Sequence, residues 1–315
     1  MTISAQEAPG KRWDLLGIGA VTVDDLIYVD QYPRPETKLP IRDQRREGGG
    51  LTGTALVAAS RLGAKTAYCG VLGNDELSHF TLQELEREGV DCTPILHRAE
   101  ARPIHSIVIV DRSTAQRTIL YSNTGVVELP LEEITDDLVA NCRVLLVDHT
   151  VIRAGPRAVE VAHAHDIQVV GDVESEVNPQ VPGLMRQIDH LIVSVRFAAR
   201  VTGEHEPVAM VHALSRPDRA CCVVTVGEQG CWYSEHGGDV HHLPALSVQA
   251  VDTTGCGDTF HGAYAACVAQ GESVRTALQV ATVAAGIKVT RPGGRSGIPH
   301  RAMIEQVLQK QSREI

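Results

Sequence analysis

Val251-Asp252-Thr253-Thr254-Gly255-Cys256-Gly257-Asp258-Thr259-Phe260-His261-Gly262 is the stretch on which the reading of the whole chain turns. Glycines at 255 and 257 precede a long helical stretch, so backbone N–H groups there can face a ligand with no Cβ in the way. A helix start adds unpaired donors and partial positive charge, a ready anion site. Asp258 falls in the first turn. Aspartate often stands there only to cap the helix. A carboxylate beside an anion site nevertheless repels phosphate unless it has work to do, such as taking a proton from an attacking hydroxyl. Beyond it Phe260, Ala263, Tyr264 and Cys267 recur at helical spacing, a packing stripe.

Working outward, strand-like and helix-like segments alternate almost throughout, the pattern of an α/β chain with a sheet flanked by helices. Leu15 to Ala20, Thr66 to Leu72, Val144 to Val147, Ile167 to Val170, Leu191 to Val195 and Cys222 to Val226 read as buried strands. Thr52 to Leu62, Pro156 to His165 and Pro207 to Ser215 read as helices, and Asn74 or Asp75 can cap another that ends near Gly89. Two regions, Leu26 to Arg46 and Ile104 to Tyr121, instead alternate polar and apolar residues like antiparallel strands. In the second, Ile104, Ser106, Val108 and Val110 fall on one side. These insertions predict a small sheet standing off the main one, formed by about residues 24–47 and 102–123. It can act as a lid, or as the surface where two copies meet in a homodimer. No linker, repeat or low-complexity tract divides residues 1–315, which read as one domain.

Composition narrows the function. With 29 Lys+Arg against 39 Asp+Glu the formal charge is −10, which disfavours a nucleic-acid or membrane-surface partner. Aromatics at 3% leave too few stacking platforms for a single-strand binder. The N-terminus lacks a secretory h-region, and no apolar run approaches a membrane span. Eight scattered cysteines without a C-x-x-C fit reduced thiols, so a cytoplasmic location is expected. His163-x-His165 and His241-His242 have no completing Cys, Asp or Glu cluster and carry no metal assignment.

A second glycine cluster, Gly48-Gly49-Gly50-Leu51-Thr52-Gly53-Thr54, opens the helix to Leu62. Its GxGxxG is a weak signal, because Arg45, Arg46 and Glu47 precede it where a dinucleotide fingerprint needs a strand. Walker A is absent. Gly49-Gly50 with Leu62-Gly63-Ala64 and Gly70-Val71-Leu72-Gly73-Asn74-Asp75, followed in register by Asp252 to Phe260, resembles the two signatures of the ribokinase-like (PfkB) carbohydrate kinases. The resemblance spans almost the whole chain. It implies a three-layer α/β/α sandwich with a mainly parallel central sheet and a small β-sheet lid, and an ATP- and Mg²⁺-dependent sugar kinase.

The resemblance assigns roles residue by residue. Asp258 matches the catalytic base, and the backbone N–H groups of Gly255, Cys256 and Gly257 match the anion hole. Asp24 matches the acidic residue that grips sugar hydroxyls, with Asp25 as the register alternative. Gly49 and Gly50 match the glycines that let sugar lie against backbone. Thr225, Gly227 and Gly230, in Thr225-Val226-Gly227-Glu228-Gln229-Gly230, match the nucleotide-side turn, and Thr254 joins the nucleotide set. Thr54 stands where the family often has Asn, and Ser194-Val195-Arg196-Phe197 stands where its N-x-x-E element belongs. No protein metal ligand is therefore assigned. Some members bind a monovalent cation such as K⁺ near the second signature, and Asp252 with the loop Arg291-Pro292-Gly293-Gly294 either forms that site or is only an oxygen-rich turn.

Ketohexokinases are similar in Asp25 to Pro33 and in Val173-Glu174-Ser175-Glu176. Sulfofructose kinases are similar in Gly48 to Gly50, in Phe260-His261-Gly262 and in Thr290 to Pro299. Both imply a ketose or ketose derivative. Strand alternation puts Lys38, Arg42 and Arg46 on one lid face, where they either meet an anionic sugar or only solubilise an edge. Rival readings are a ribokinase, a nucleoside kinase stacking its base on Tyr28, Tyr32 or Tyr121, and a non-catalytic sugar-binding regulator. Cys256 at a helix start would have a lowered pKa and be sensitive to oxidation, or is only a small side chain filling that slot.

Overall fold

A computed structural model describes residues 10–175 and 178–311; Glu176, part of one quoted resemblance, lies outside them. In chain order the strands of the first half are β1 (Trp13–Ile18), β2 (Thr22–Val29), β3 (Asp43–Gly49), β4 (Thr66–Cys69), β5 (Val71–Leu72), β6 (Leu96–His97), β7 (Ile104–Asp111) and β8 (Gln116–Ser122). Those of the second half are β9 (Cys142–Asp148), β10 (Gln168–Asp172), β11 (His190–Ser194), β12 (Cys221–Thr225), β13 (Cys231–Glu235) and β14 (His241–Leu243). The helices are α1 (Leu51–Arg61), α2 (Glu76–Arg87), α3 (Asp136–Ala140), α4 (Ala154–Ala164), α5 (Val181–Gln187), α6 (Val195–Thr202), α7 (Pro207–Leu214), α8 (Cys256–Ala269), α9 (Val274–Lys288) and α10 (Arg301–Gln311).

Eight strands form the main sheet in the order β14-β13-β12-β11-β10-β9-β1-β4. The six from β12 to β4 run parallel, and β13 and β14 extend the sheet antiparallel. The central strands are apolar on both faces because both faces are covered. One apolar cluster joins α1, α2, α8, α9 and α10 to the sheet, with Leu56, Leu85, Tyr264, Leu278 and Ile304 in it. The other joins α3 to α7, through Val139, Val159, Leu184, Phe197 and Val211. Three layers result, as expected. The parallel strands all end on one side, where such sheets bind ligands.

Four strands, in the order β3-β2-β7-β8, make the second sheet. Its β2–β7 pair is parallel rather than antiparallel. Ser106, Val108 and Val110 are buried while Ile107 is exposed, so the expected alternation in β7 holds. A small apolar cluster of Leu26, Tyr28, Val108 and Val110 marks the covered face. The sequence from Asp258 does not run as one helix. Gly271 (φ +77°) ends α8, and Ser273 starts α9 by accepting a hydrogen bond from the Thr276 N–H.

Candidate active site

α8 begins at the strand-end side of the main sheet. Gly255 has φ +72°, and a Cβ there would stand 2.6 Å from the Gly294 carbonyl oxygen, so only glycine fits. The Cys256 N–H turns back to the Thr253 carbonyl at 3.3 Å. Of the three N–H groups that the resemblance implies for an anion hole, that of Cys256 thus has an acceptor within its own loop. The Cys256 thiol is pushed up to about 11 by burial, against the expectation from its helix position: desolvation of a thiolate outweighs the helix dipole here.

Asp258 is half-buried in the first turn of α8. Among the described residues none donates a hydrogen bond to its carboxylate. Burial holds its pKa well above the ordinary carboxylate range, and the nearby Asp172 and Glu174 add to this against His261 and Arg117. Asp172, at the end of β10, is buried, and among the described residues neither carboxylate oxygen takes a hydrogen bond, although the His261 Nδ1 lies 3.4 Å from its Oδ2. Sequence reading missed it. Its position at the end of a parallel strand was the available signal. His261, offered as a nucleotide or sugar contact or as packing, lies under the helix start. Its Nδ1 is 2.9 Å from the Gly257 carbonyl and its Nε2 3.2 Å from that of Ile192.

The smaller sheet reaches this loop. Arg117 in β8 donates from Nη1 to the Thr253 hydroxyl at 2.9 Å, and that hydroxyl donates to the Ala115 carbonyl at 3.3 Å. On the same covered face Asp24 accepts a hydrogen bond from the Thr22 hydroxyl at 2.7 Å and lies against Gly49, where a Cβ would meet its Oδ2 at 2.0 Å. Register separates Asp24 from Asp25. Asp24 pairs with Glu47 across β2–β3, while Asp25 pairs with Arg46, and its carboxylate takes that guanidinium at 2.8 and 2.9 Å and His105 at 2.8 Å. Asp25 is thus tied on the opposite face, its pKa lowered chiefly by the Arg46 hydrogen bond.

The basic stripe expected from Lys38 does not form. Residues 30–42 are irregular, so alternation starts only at Asp43, and Lys38 is exposed off the strand. Arg42 is paired with Asp30, and Arg46 with Asp25 and Glu76. Of the tyrosines, Tyr28 donates its hydroxyl to Asp252 at 2.8 Å and accepts from the Gly293 N–H at 2.7 Å, so it is not free to stack a base. Tyr32 and Tyr121 are exposed.

Arg295 ties the two glycine segments together. It is 4% exposed and donates from Nη2 to the Gly49 carbonyl at 2.6 Å, with Nε 3.4 Å from the Thr54 hydroxyl. A Cβ on Gly48 would come within 2.3 Å of its guanidinium. Burial lowers its pKa to about 10. Thr54 is buried against this side chain and against Gly255, not exposed to a pocket.

On the other side, Thr225 ends β12 with its hydroxyl 3.4 Å from the Val193 carbonyl, and Gly227 (φ +54°) has open space where a Cβ would stand. Gly230 serves the β12–β13 turn, because a Cβ there would meet the Leu243 carbonyl at 2.0 Å. The Thr254 N–H is donated to Asp252 at 2.8 Å, and its buried hydroxyl has no hydrogen-bond partner among the described residues. At the N-x-x-E position the Ser194 hydroxyl caps α6 by accepting from the Phe197 N–H. His163 and His165 face Asp189 and Asp136, and His241 and His242 lie against Tyr233 and Trp232. Among the described residues no cluster of three or more His, Cys, Asp and Glu could hold a metal ion.

A profile of the pfkB family carbohydrate kinases matches residues 14–301. The chain belongs to that family. A ribokinase of Bacillus subtilis is 29% identical over 92% of this kinase and 98% of its own length. A solved structure from Agrobacterium tumefaciens, provisionally assigned as a ribokinase, superposes at TM-score 0.89 with 28% identity, covering 95% and 98% of the two chains. The ribokinase of Arabidopsis thaliana, solved with ribose and ATP, shares the fold at TM-score 0.78 and 19% identity over 94% and 98%. The kinase is accordingly a phosphotransferase that acts on an alcohol group. Arg295→Met is expected to cost roughly 1.5–3 kcal/mol, as a charge-assisted hydrogen bond is lost and the Gly49 carbonyl left bare. It should also raise KM for the acceptor more than it lowers kcat. Denaturant titration and steady-state kinetics on the same preparation check both.

Proposed function

We propose that this pfkB-family kinase transfers the γ-phosphoryl group of ATP to a hydroxyl of a ketose or ketose derivative, with Asp258 as general base. The observation that carries the reading is the Asp258 carboxylate, without a hydrogen-bond donor among the described residues and with its pKa raised, beside the N–H groups of Gly255 and Gly257. The acceptor hydroxyl oxygen forms a bond to the γ-phosphorus as the bond to the β,γ-bridging oxygen breaks. Its proton passes to Asp258, and ADP leaves. Positioning and charge stabilisation supply most of the rate in such a loose transition state. Asp24, Gly49 and Gly50 hold the acceptor, and Thr225 and Gly227 border the nucleotide. Mg²⁺ arriving with ATP neutralises charge on the phosphates. One or two carboxylates suffice for it where phosphate and water complete the shell, and Asp172 with Glu174 fits that need.

The arginine pairings at Arg42 and Arg46 argue for a neutral sugar over an anionic one. The ribokinase relatives keep ribose as the second reading. ATP-dependent ADP release across fructose, tagatose, ribose, sulfofructose, phosphorylated ketoses and adenosine tests both. A ketose preference supports the proposal, and a ribose preference replaces it with the second reading. Nucleotide binding with no turnover on any of them would favour a sugar-binding regulator.

Exposed Leu120 (53%) and Tyr121 (70%) in β8 support pairing of two smaller sheets in a homodimer. Light scattering is expected to give twice the chain mass, falling to the monomer in Leu120→Glu. All eight cysteines are free thiols, which supports a reducing, cytoplasmic location. No helix among the described residues is long and apolar enough to cross a membrane.

A further inference from the structure

The family resemblance suggests a monovalent cation near Asp252 and Gly293, and the residues there do not fit one. Lys288, the last residue of α9, is 0% exposed, and its Nζ donates to the Asp252 carbonyl at 3.0 Å. Asp252 is equally buried. Its Oδ1 takes the Thr254 N–H at 2.8 Å, and its Oδ2 takes the Tyr28 hydroxyl at 2.8 Å and the Gly293 N–H at 2.9 Å.

A hard cation needs several bare oxygens in its shell. Four carbonyls around this turn already accept hydrogen bonds. That of Ile287 takes the Thr290 hydroxyl at 2.7 Å, that of Lys288 the Arg291 N–H at 3.1 Å, and that of Pro292 the Ser296 hydroxyl at 2.7 Å. The Val289 carbonyl takes two N–H groups, from Val251 and Asp252, at 2.8 and 3.1 Å. A buried carboxylate still needs a counter-charge, and the Lys288 ammonium supplies one on the same loop that leads into Gly255. The Asp252 carboxyl accordingly lies below its ordinary range: burial pushes it up, and Lys288 and the N–H donors outweigh that.

We propose that the Lys288 ammonium is the resident cation of this kinase, held covalently where an exchangeable ion would otherwise sit, so that the anion-hole loop is set without K⁺. The effect on rate rests on the phosphoryl-transfer reading above; the effect on stability does not. The test compares KCl with choline chloride at equal ionic strength, reading kinase rate and, separately, the thermal unfolding midpoint of the sugar-free protein. The wild-type rate and midpoint are expected to be the same in both salts. In Lys288→Ala both should fall in choline chloride and recover in KCl but not in LiCl, while Lys288→Arg should stay independent of K⁺.

A K⁺-specific rise in the wild-type midpoint or rate overturns the proposal, as does a Lys288→Ala protein that is fully active in choline chloride. Should Lys288→Ala not fold in either salt, the wild-type comparison and Lys288→Arg decide. Should no sugar be turned over, the midpoints still report on the cation and the failure belongs to the proposed activity.

Discussion

Asp258→Asn is expected to lower turnover by roughly 10²–10⁴ while ATP binding stays measurable. The amide keeps the volume and polarity of the side chain but cannot take the acceptor's proton. Unfolding is not the expected cause of the loss. In the folded protein the Asp258 carboxyl lies well above its ordinary range because it is buried near Asp172 and Glu174. Between its unfolded value of about 3.9 and its folded value, the native state therefore holds the extra proton. The stability this contributes is present below the unfolded value and is lost as pH rises through the folded one. Removing the ionisation removes that loss, so the asparagine variant should be at least as stable as the wild type at neutral pH.

The same shift places the acid limb of kcat/KM at higher pH than an ordinary carboxylate would, since the base must be ionised to act. Isothermal titration with ATP, denaturant midpoints and a pH–rate profile of both proteins check these points. Undiminished turnover in the variant sinks the assignment of the base. A variant that binds no ATP and unfolds early would instead make Asp258 a structural residue.

Gly262→Ala is expected to destabilise the protein by about 3 kcal/mol, at the upper end of ordinary overpacking. Gly262 lies in α8 where it crosses α1, and a Cβ there would stand 2.0 Å from the Ala55 carbonyl oxygen and 2.7 Å from its carbon. Backbone cannot rotate aside as a side chain end can, so the helices must part. These two helices also carry the Gly49–Gly50 turn and Asp258 at their N-terminal ends, and kcat/KM should fall with stability. Gly271→Ala is the comparison. It has φ +77° but nothing within 4 Å of the added Cβ, so only backbone strain of about 1–2 kcal/mol is expected, with little change in activity. Urea titration of both variants measures the difference. Equal costs would show that α1 and α8 can separate freely.

Much of the architecture was legible because it rests on local pattern. Asp75 does cap α2, accepting from the Ser78 N–H at 2.9 Å, and the helix ends before Gly89 (φ +77°). The apolar run around Val144 to Val147 becomes β9, buried on both faces. The break between α8 and α9 was also written in the chain, in Gly271 followed by Ser273. The parallel pairing of β2 with β7 joins strands far apart in sequence, and no local periodicity encodes which neighbours meet.

Legible in the chain alone were the six parallel strands of the main sheet, the glycine turns at Gly50 and Gly255, and a carboxylate at the first turn of α8. Those follow from backbone preferences that act within a few residues. Only the tertiary structure decided which of two adjacent aspartates faces the site, because a strand's side chains alternate and one step of register exchanges its faces. It also decided that Arg46 is spent on Asp25, that the Cys256 thiol is raised rather than lowered, and that Lys288 and Arg295 are buried cations at the site's foundations. Charge and burial at such positions depend on groups brought together from segments tens to hundreds of residues apart, and desolvation acts only once the chain has closed over them.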